Sequence, residues 1–130
     1  PDTRTFLLCS VKIVPYIENM GEVLKFTDLI ITRAGATILA EITALGIPSI
    51  IIPSPYVANN HQEINAKALE EENATFVIKE KDFDEQLLIT KIDEILNNQK
   101  LYKKMSEGAK KLGITDSATR IYNEITKLYK

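Results

Sequence analysis

Two short, unbroken aliphatic runs, Leu29-Ile30-Ile31 and Ile50-Ile51-Ile52, bracket a stretch in which apolar residues recur every three or four positions. Unbroken runs suit strands covered on both faces, the habit of parallel sheets. Between them Ile38, Ile42 and Leu45 share one helical face, and Gly46 followed by Pro48 is a stop signal just past a helix end. The pattern predicts a strand, a tight turn, a helix and a second strand. Asn59-Asn60-His61-Gln62-Glu63 then opens another helix carrying Ile64, Ala68 and Leu69, which ends at Asn73, a residue suited to left-handed backbone. Phe76-Val77-Ile78 reads as a third strand.

Flanking this unit, Phe6 to Val14 holds one or two short strands, and Glu18 to Phe26 a short helix using Met20, Val23 and Leu24. Beyond Lys79 the period is helical: Leu88, Ile92, Ile95 and Leu96, then Leu101, Met105, Ala109 and Leu112, then Ala118, Ile121, Tyr122, Ile125 and Leu128. Asn97-Asn98 and Gly113 separate these helices, and Thr115 or Asp116 caps the last. The expected fold is α/β, a Rossmann-like parallel sheet with flanking helices. Such a sheet opens a ligand crevice at the carboxyl ends of its strands.

The candidate chemistry lies in the two turns that feed that crevice. Arg33-Ala34-Gly35-Ala36 offers small residues where a ligand can approach backbone, with Gly35 free to adopt positive φ and Arg33 placed to assist. Unpaired N–H groups in the following helical turn make an anion seat. Thr37 and Glu41 lie four apart, beside the apolar stripe, and a carboxylate at that rim can accept both hydroxyls of a ribose. His61 and Gln62 stand at the start of the next helix, facing the same crevice, where an amide can bind sugar hydroxyls. Each also has an ordinary reading: Glu41 as a solvated helix glutamate, and His61-Gln62 as part of a helix start capped by Asn60.

Taken together, AGATILAEITALGIPSIIIPSP and NNHQEINAKALEEENA closely resemble the carboxyl-terminal half of the MurG family. These are the bacterial UDP-N-acetylglucosamine:undecaprenyl-pyrophosphoryl-muramoyl-pentapeptide transferases of peptidoglycan synthesis, and so of cell-wall biogenesis, cell division and cell shape. The resemblance runs from about Val14 to near the C-terminus. It implies half of a two-domain GT-B hexosyltransferase, with residues 11–130 as the donor-binding domain and UDP-N-acetylglucosamine as its ligand.

The resemblance also implies roles residue by residue. The backbone of Ile17 would meet the uracil edge, and Ala36, Thr37, Ile38, Leu39 and Ala40 would lie along the diphosphate and sugar. Glu41 matches the ribose carboxylate, Gln62 a glutamine on the N-acetylglucosamine, and His61 a neighbouring variable position. Ile17 otherwise reads as an apolar loop plug. Catalysis implied is attack by the acceptor's C4 hydroxyl on the anomeric carbon, with inversion and departure of UDP. The catalytic base and the lipid-linked acceptor belong to an amino-terminal domain that the resemblance does not cover, so no catalytic residue is assigned here. The whole protein would sit peripherally on the cytoplasmic face of the bacterial cell membrane. No Gly-rich phosphate loop precedes the unit, and residues 1–10, PDTRTFLLCS, match no part of the family pattern and stay unassigned, as either divergent or introduced sequence.

Composition narrows the alternatives. At 130 residues the chain suits one domain with a real core, less than half of a two-domain transferase. Hydrophobic residues at 45% and charged residues at 26% are ordinary globular values. No apolar run approaches the roughly 20 residues that span a bilayer. A net charge of −2 argues against nucleic acid, which demands a basic face. Cys9 is the single cysteine, so no intramolecular disulfide forms.

Asp82-Phe83-Asp84 has a spacing used elsewhere to hold a divalent metal, but Asp82 with Glu85 fits a capping box and needs none. No metal or other cofactor is expected, and His61, the only histidine, has no visible triad partner. Two further readings stay open: a donor-binding subunit of a split transferase working with a separate membrane partner, and a non-catalytic phosphate-binding regulatory domain of receiver or flavodoxin type. The apolar stripe of the last helix could support self-association.

Overall fold

The structure is a computed structural model describing residues 10–129. Its elements run α1 Met20–Lys25, β1 Ile30–Thr32, α2 Ala36–Leu45, β2 Ser49–Ile51, α3 His61–Glu71, β3 Thr75–Val77, α4 Glu85–Asn97, α5 Gln99–Leu112 and α6 Ser117–Leu128. One-turn 3₁₀ segments at Ala58–Asn60 and Glu80–Asp82 precede α3 and α4. The strands form a three-stranded parallel sheet in the order β1-β2-β3, with Ile31 beside Ile50 and Ile50 beside Phe76. The expected α/β class with flanking helices is what the chain adopts. Of the strands expected between Phe6 and Val14, Phe6 to Cys9 lie outside the described residues, and residues 10–14 form none.

Alternation along the strands sends side chains to two apolar layers. On one face Ile30, Ile51 and Val77 meet Leu39 and Ile42 of α2, Ala66 and Leu69 of α3 and Leu24 of α1. On the other, Ile50, Ile52, Phe76 and Ile78 meet Leu88, Ile92 and Ile95 of α4 and Leu101 and Met105 of α5. Central β2 is buried throughout. Full burial of Ile42, Ile50 or Ile51 contributes roughly 1.5–3 kcal/mol each. Edge strand β1 departs from the expectation of two covered faces, because Ile31 keeps 43% of its surface exposed.

Two helical stripes are rotated from their expected settings. In α2 the buried row is Leu39, Ile42 and Thr43, and Leu45 is exposed. Thr43 can enter the core because its hydroxyl donates to the Leu39 carbonyl at 2.8 Å, a back-bond that removes its polar cost. In α3 the buried residues are Ala66 and Leu69, and Ile64 is 65% exposed. There the inward positions of the first two turns go to two side-chain amides, Gln62 and Asn65, that bond to neighbouring backbone.

Helix boundaries follow short-range chemistry. Gly46 closes α2 in the left-handed conformation, φ 70°, and Asn73 follows α3 at φ 60°. Asn98 caps α5 by accepting from Leu101 N at 3.2 Å. The capping box expected of Asp82 and Glu85 does not form: Asp84 is the cap of α4, accepting from Leu87 N at 3.2 Å, because Asp82 is held in the 3₁₀ turn two residues ahead of it. Asp116 sits at the start of α6 without capping it, its carboxylate taken by Arg120 Nε at 2.8 Å. Helix α6 buries none of its residues, leaving Ile121, Tyr122 and Leu128 at least 60% exposed.

Candidate functional site

Because the three strands are parallel, the β1–α2 and β2–α3 connections emerge at the same edge of the sheet, and α2 and α3 begin there. The start of α2 is bare. Gly35 occupies the N-cap position with no side-chain hydrogen bond to the helix, the first turn has no acidic residue, and the first intrahelical bond is Leu39 N to Gly35 O at 3.1 Å. The N–H groups of Ala36, Thr37 and Ile38 are therefore left over by helix geometry. Together with the positive end of the helix dipole they can hold a phosphate oxygen.

Gly35 does not use positive φ; it is extended at φ −67°, ψ 140°. What it supplies is room, since a Cβ built there would find one neighbour within 4 Å, Ile38 Cγ2 at 3.9 Å. Leu39 and Ala40 differ from the three residues before them: Leu39 is buried in the core and its N–H is already bonded, while Ala40 is exposed one turn in. Arg33, at the end of β1, donates through Nη1 to Glu80 Oε2 at 3.0 Å and to the Ile52 carbonyl at 3.2 Å.

Glu41 stands five residues along α2 from Ala36, about 7.5 Å down the axis. With Leu39, Ile42 and Thr43 as the buried row, Glu41 lies across the helix from the core instead of beside it, and Thr37 shares its side. Its side chain is half-buried. Ile17 is half-buried in the irregular segment before α1.

Gln62 is held firmly. Its Oε1 accepts from Ala34 N at 3.1 Å and from Ser54 N at 2.9 Å, joining both connections at the rim. The amide nitrogen on the same group has no partner among the described residues and is available to donate to a sugar oxygen. His61 is exposed, with Nδ1 3.0 Å from the Ala58 carbonyl. Asn60 precedes α3 at φ 51° and makes no side-chain cap bond, so capping does not account for the polar run.

Sequence reasoning passed over Asn65, whose Nδ2 donates to the Ala34 carbonyl at 3.1 Å. Its position three after Gln62, on the same helical face, was the available signal. Glu80, the partner of Arg33, carried none.

Two clefts lie nearby. The larger, about 970 Å³, runs along the free side of β3 between α3 and α4, past Ile64, Lys67, Phe76 and Lys91. The smaller, about 470 Å³, is bounded by Ile31, Thr32, Ile52 and Phe83 with Arg33 and Glu80 at its mouth. Neither is lined by Glu41, Gln62 or the first turn of α2, so the expected donor residues sit on an open rim. Among the described residues no group of three or more His, Cys, Asp or Glu could hold a metal, Asp82 and Asp84 included. No described helix is long and apolar enough to cross a membrane.

Residues 3–121 match the model of the glycosyltransferase family 28 C-terminal domain. The chain belongs to that family. Among curated family 28 relatives, the UDP-N-acetylglucosamine--N-acetylmuramyl-(pentapeptide) pyrophosphoryl-undecaprenol N-acetylglucosamine transferase of Bacillus licheniformis is 51% identical over 114 residues, 88% of this chain and 31% of the relative. Its Bacillus subtilis counterpart is 49% identical over 116 residues, 89% of this chain and 32% of the relative. In three dimensions the family 28 chain superposes on the crystal structure of Acinetobacter baumannii MurG with a TM-score of 0.78 at 27% identity, covering 89% of this chain and 33% of the other. The chain thus spans about a third of the length of these relatives.

Proposed function

We propose that this family 28 domain binds UDP-N-acetylglucosamine as the donor half of an inverting N-acetylglucosaminyltransferase of peptidoglycan synthesis. The observation that carries the reading is the uncapped first turn of α2, whose free N–H groups share a rim with the amide of Gln62. The names of the relatives point to the same sugar. In this reading Ala36, Thr37 and Ile38 hold the diphosphate, Glu41 accepts the ribose hydroxyls, Gln62 donates through its amide nitrogen to the sugar, and Ile17 backs the base.

Such a site binds and orients the donor and stabilises the leaving diphosphate as negative charge develops on it. The acceptor, a lipid-linked muramoyl-pentapeptide, and the group that deprotonates it would come from the part of the relatives this chain does not span. The place of work we propose is the cytoplasmic face of the bacterial membrane, where a lipid-linked acceptor and a nucleotide sugar can meet. The domain by itself is not expected to turn over.

Titration with UDP and UDP-N-acetylglucosamine, followed by backbone amide resonances, tests the reading. Saturable shifts at Ala36, Thr37, Ile38 and Gln62, and weaker binding in Glu41→Ala, are expected. Shifts confined to the cleft beside β3, or none at all, would end it.

A further inference from the structure

We propose that the outward face of α5 is a docking surface for an acidic protein segment, set at the end of the domain opposite the donor rim. Helix α5 crosses the amino ends of all three strands. Tyr102 donates to the Asp28 carbonyl ahead of β1 at 2.8 Å, Ser106 Oγ donates to the Gly46 carbonyl ahead of β2 at 2.7 Å, and Gly108 lies against the Glu72 carbonyl ahead of β3. Leu101, Met105, Ala109 and Leu112 pack into the two core layers, so the other side of the helix looks away from the sheet.

That side is almost wholly cationic. At 3.6 residues per turn, Lys100, Lys103, Lys104, Lys110 and Lys111 fall within an arc of about 120° that they share with Glu107 alone, and all five are exposed. Five lysines against one glutamate make a surplus of four in a chain of net charge −2, so the remainder carries −6. Among the described residues, the one ion pair these lysines make is Lys103 Nζ to Glu107 Oε1, at 4.0 Å. Lys110 and Lys111 in the last turn complement the helix dipole, but Lys100 in the first turn opposes it, and Lys104 stands one turn from Lys100 at a repelling spacing. The helix itself gains nothing from Lys100 and Lys104.

Charge selects the partner. Two rows, Lys100-Lys104-Lys111 and Lys103-Lys110, run along roughly 16 Å of helix and match carboxylates recurring every three to four residues on an opposing segment. The face has no apolar or aromatic anchor, and neither cleft reaches it, so the contact is charge-driven, fast and salt-sensitive. A long polyanion such as nucleic acid would overrun this footprint onto a remainder of −6. A lipid surface at α5 would turn the donor rim away from the bilayer that holds the acceptor. That exclusion rests on the donor reading above, and it leaves an acidic protein on the side facing away from the membrane.

The probe is a fluorescein-labelled, alanine-based helical peptide with glutamate at every fourth position, titrated by anisotropy and by backbone amide resonances. Shifts confined to α5 and an affinity that falls steeply with added salt are expected. Lys100→Glu with Lys104→Glu should weaken the peptide about tenfold, the scale of two exposed ion pairs. The control, Lys67→Glu with Lys79→Glu, makes the same change in net charge elsewhere and should stay within about twofold of wild type; circular dichroism verifies folding. Equal losses in the two double variants, or shifts outside α5, would overturn the proposal. So would co-sedimentation with phosphatidylglycerol vesicles that the α5 variant abolishes, which would make the partner a lipid surface. UDP affinity, measured in parallel, should be the same in the α5 variant and wild type. A chain that binds the peptide on α5 but ignores UDP would remove the donor reading and keep the docking face, whereas one that binds UDP but not the peptide would do the reverse.

Discussion

Arg33 and Glu80 tie the carboxyl ends of β1 and β3 across the intervening strand. The guanidinium reaches Glu80 at 3.0 Å and, in passing, the Ile52 carbonyl that follows β2. The two side chains are 52% and 35% exposed, so the pair contributes no more than about 1 kcal/mol. Glu80→Gln should therefore change urea stability only slightly. It should also release the positive charge to an incoming diphosphate and raise UDP affinity severalfold in calorimetry. A fall in affinity would show instead that Glu80 holds Arg33 in its working position.

Gly35→Ala separates stability from binding. The backbone at Gly35 is open to any L-residue and the space is free, so the entropic gain of replacing glycine and the small loss at a helix cap nearly cancel. Melting should stay within about 1 kcal/mol of wild type. The methyl group would intrude on the anion seat, so UDP binding should weaken. Unchanged UDP affinity would place the phosphate elsewhere.

Tyr102 supplies a pH signature. Its hydroxyl donates to the Asp28 carbonyl at 2.8 Å, and its pKa is raised above the ordinary value by burial first and by the charge of Asp28 second. The folded state thus holds its proton to higher pH than the unfolded state. The stability from this group is complete below the ordinary tyrosine pKa of 10.0 and is lost as pH rises through the elevated folded value. Melts taken in steps into the alkaline range should show that decline, and Tyr102→Phe should flatten it. The variant should cost about 1 kcal/mol at neutral pH, the scale of one hydrogen bond.

Gly108 lets α5 lie against the end of α3. A Cβ at that position would overlap the Glu72 carbonyl oxygen, a backbone atom that cannot rotate aside. Gly108→Ala should destabilise by about 1–3 kcal/mol, the usual penalty of overpacking, despite its better helix propensity. Urea unfolding would measure it, and a stabilised variant would mean the two helices are free to part.

Periodicity made the three parallel strands and most helices legible, because Ile50, Ile51, Ile95 and Met105 have no polar role competing with their burial. It failed where polar side chains take inward places. Thr43 entered the core through a back-bond and displaced Leu45, which also moved Glu41 from beside the apolar row to across from it. Gln62 and Asn65 turned inward to bond to Ala34 and Ser54, and Ile64 turned out. Residues of the rim could be nominated from their types and from family resemblance, but Asn65 and Glu80 could not, since their meaning lies in partners 31 and 47 positions away.

One atom, Oε1 of Gln62, accepts from the loops after both β1 and β2. Neither loop can swing independently without surrendering a bond to that shared anchor, so the two helix entrances behave as a single stiff jaw. In the proposed donor reading, adaptation to donors of different shape would then fall to whatever closes over this jaw, and a mutation at Gln62 would loosen the grip on both ends of the ligand together.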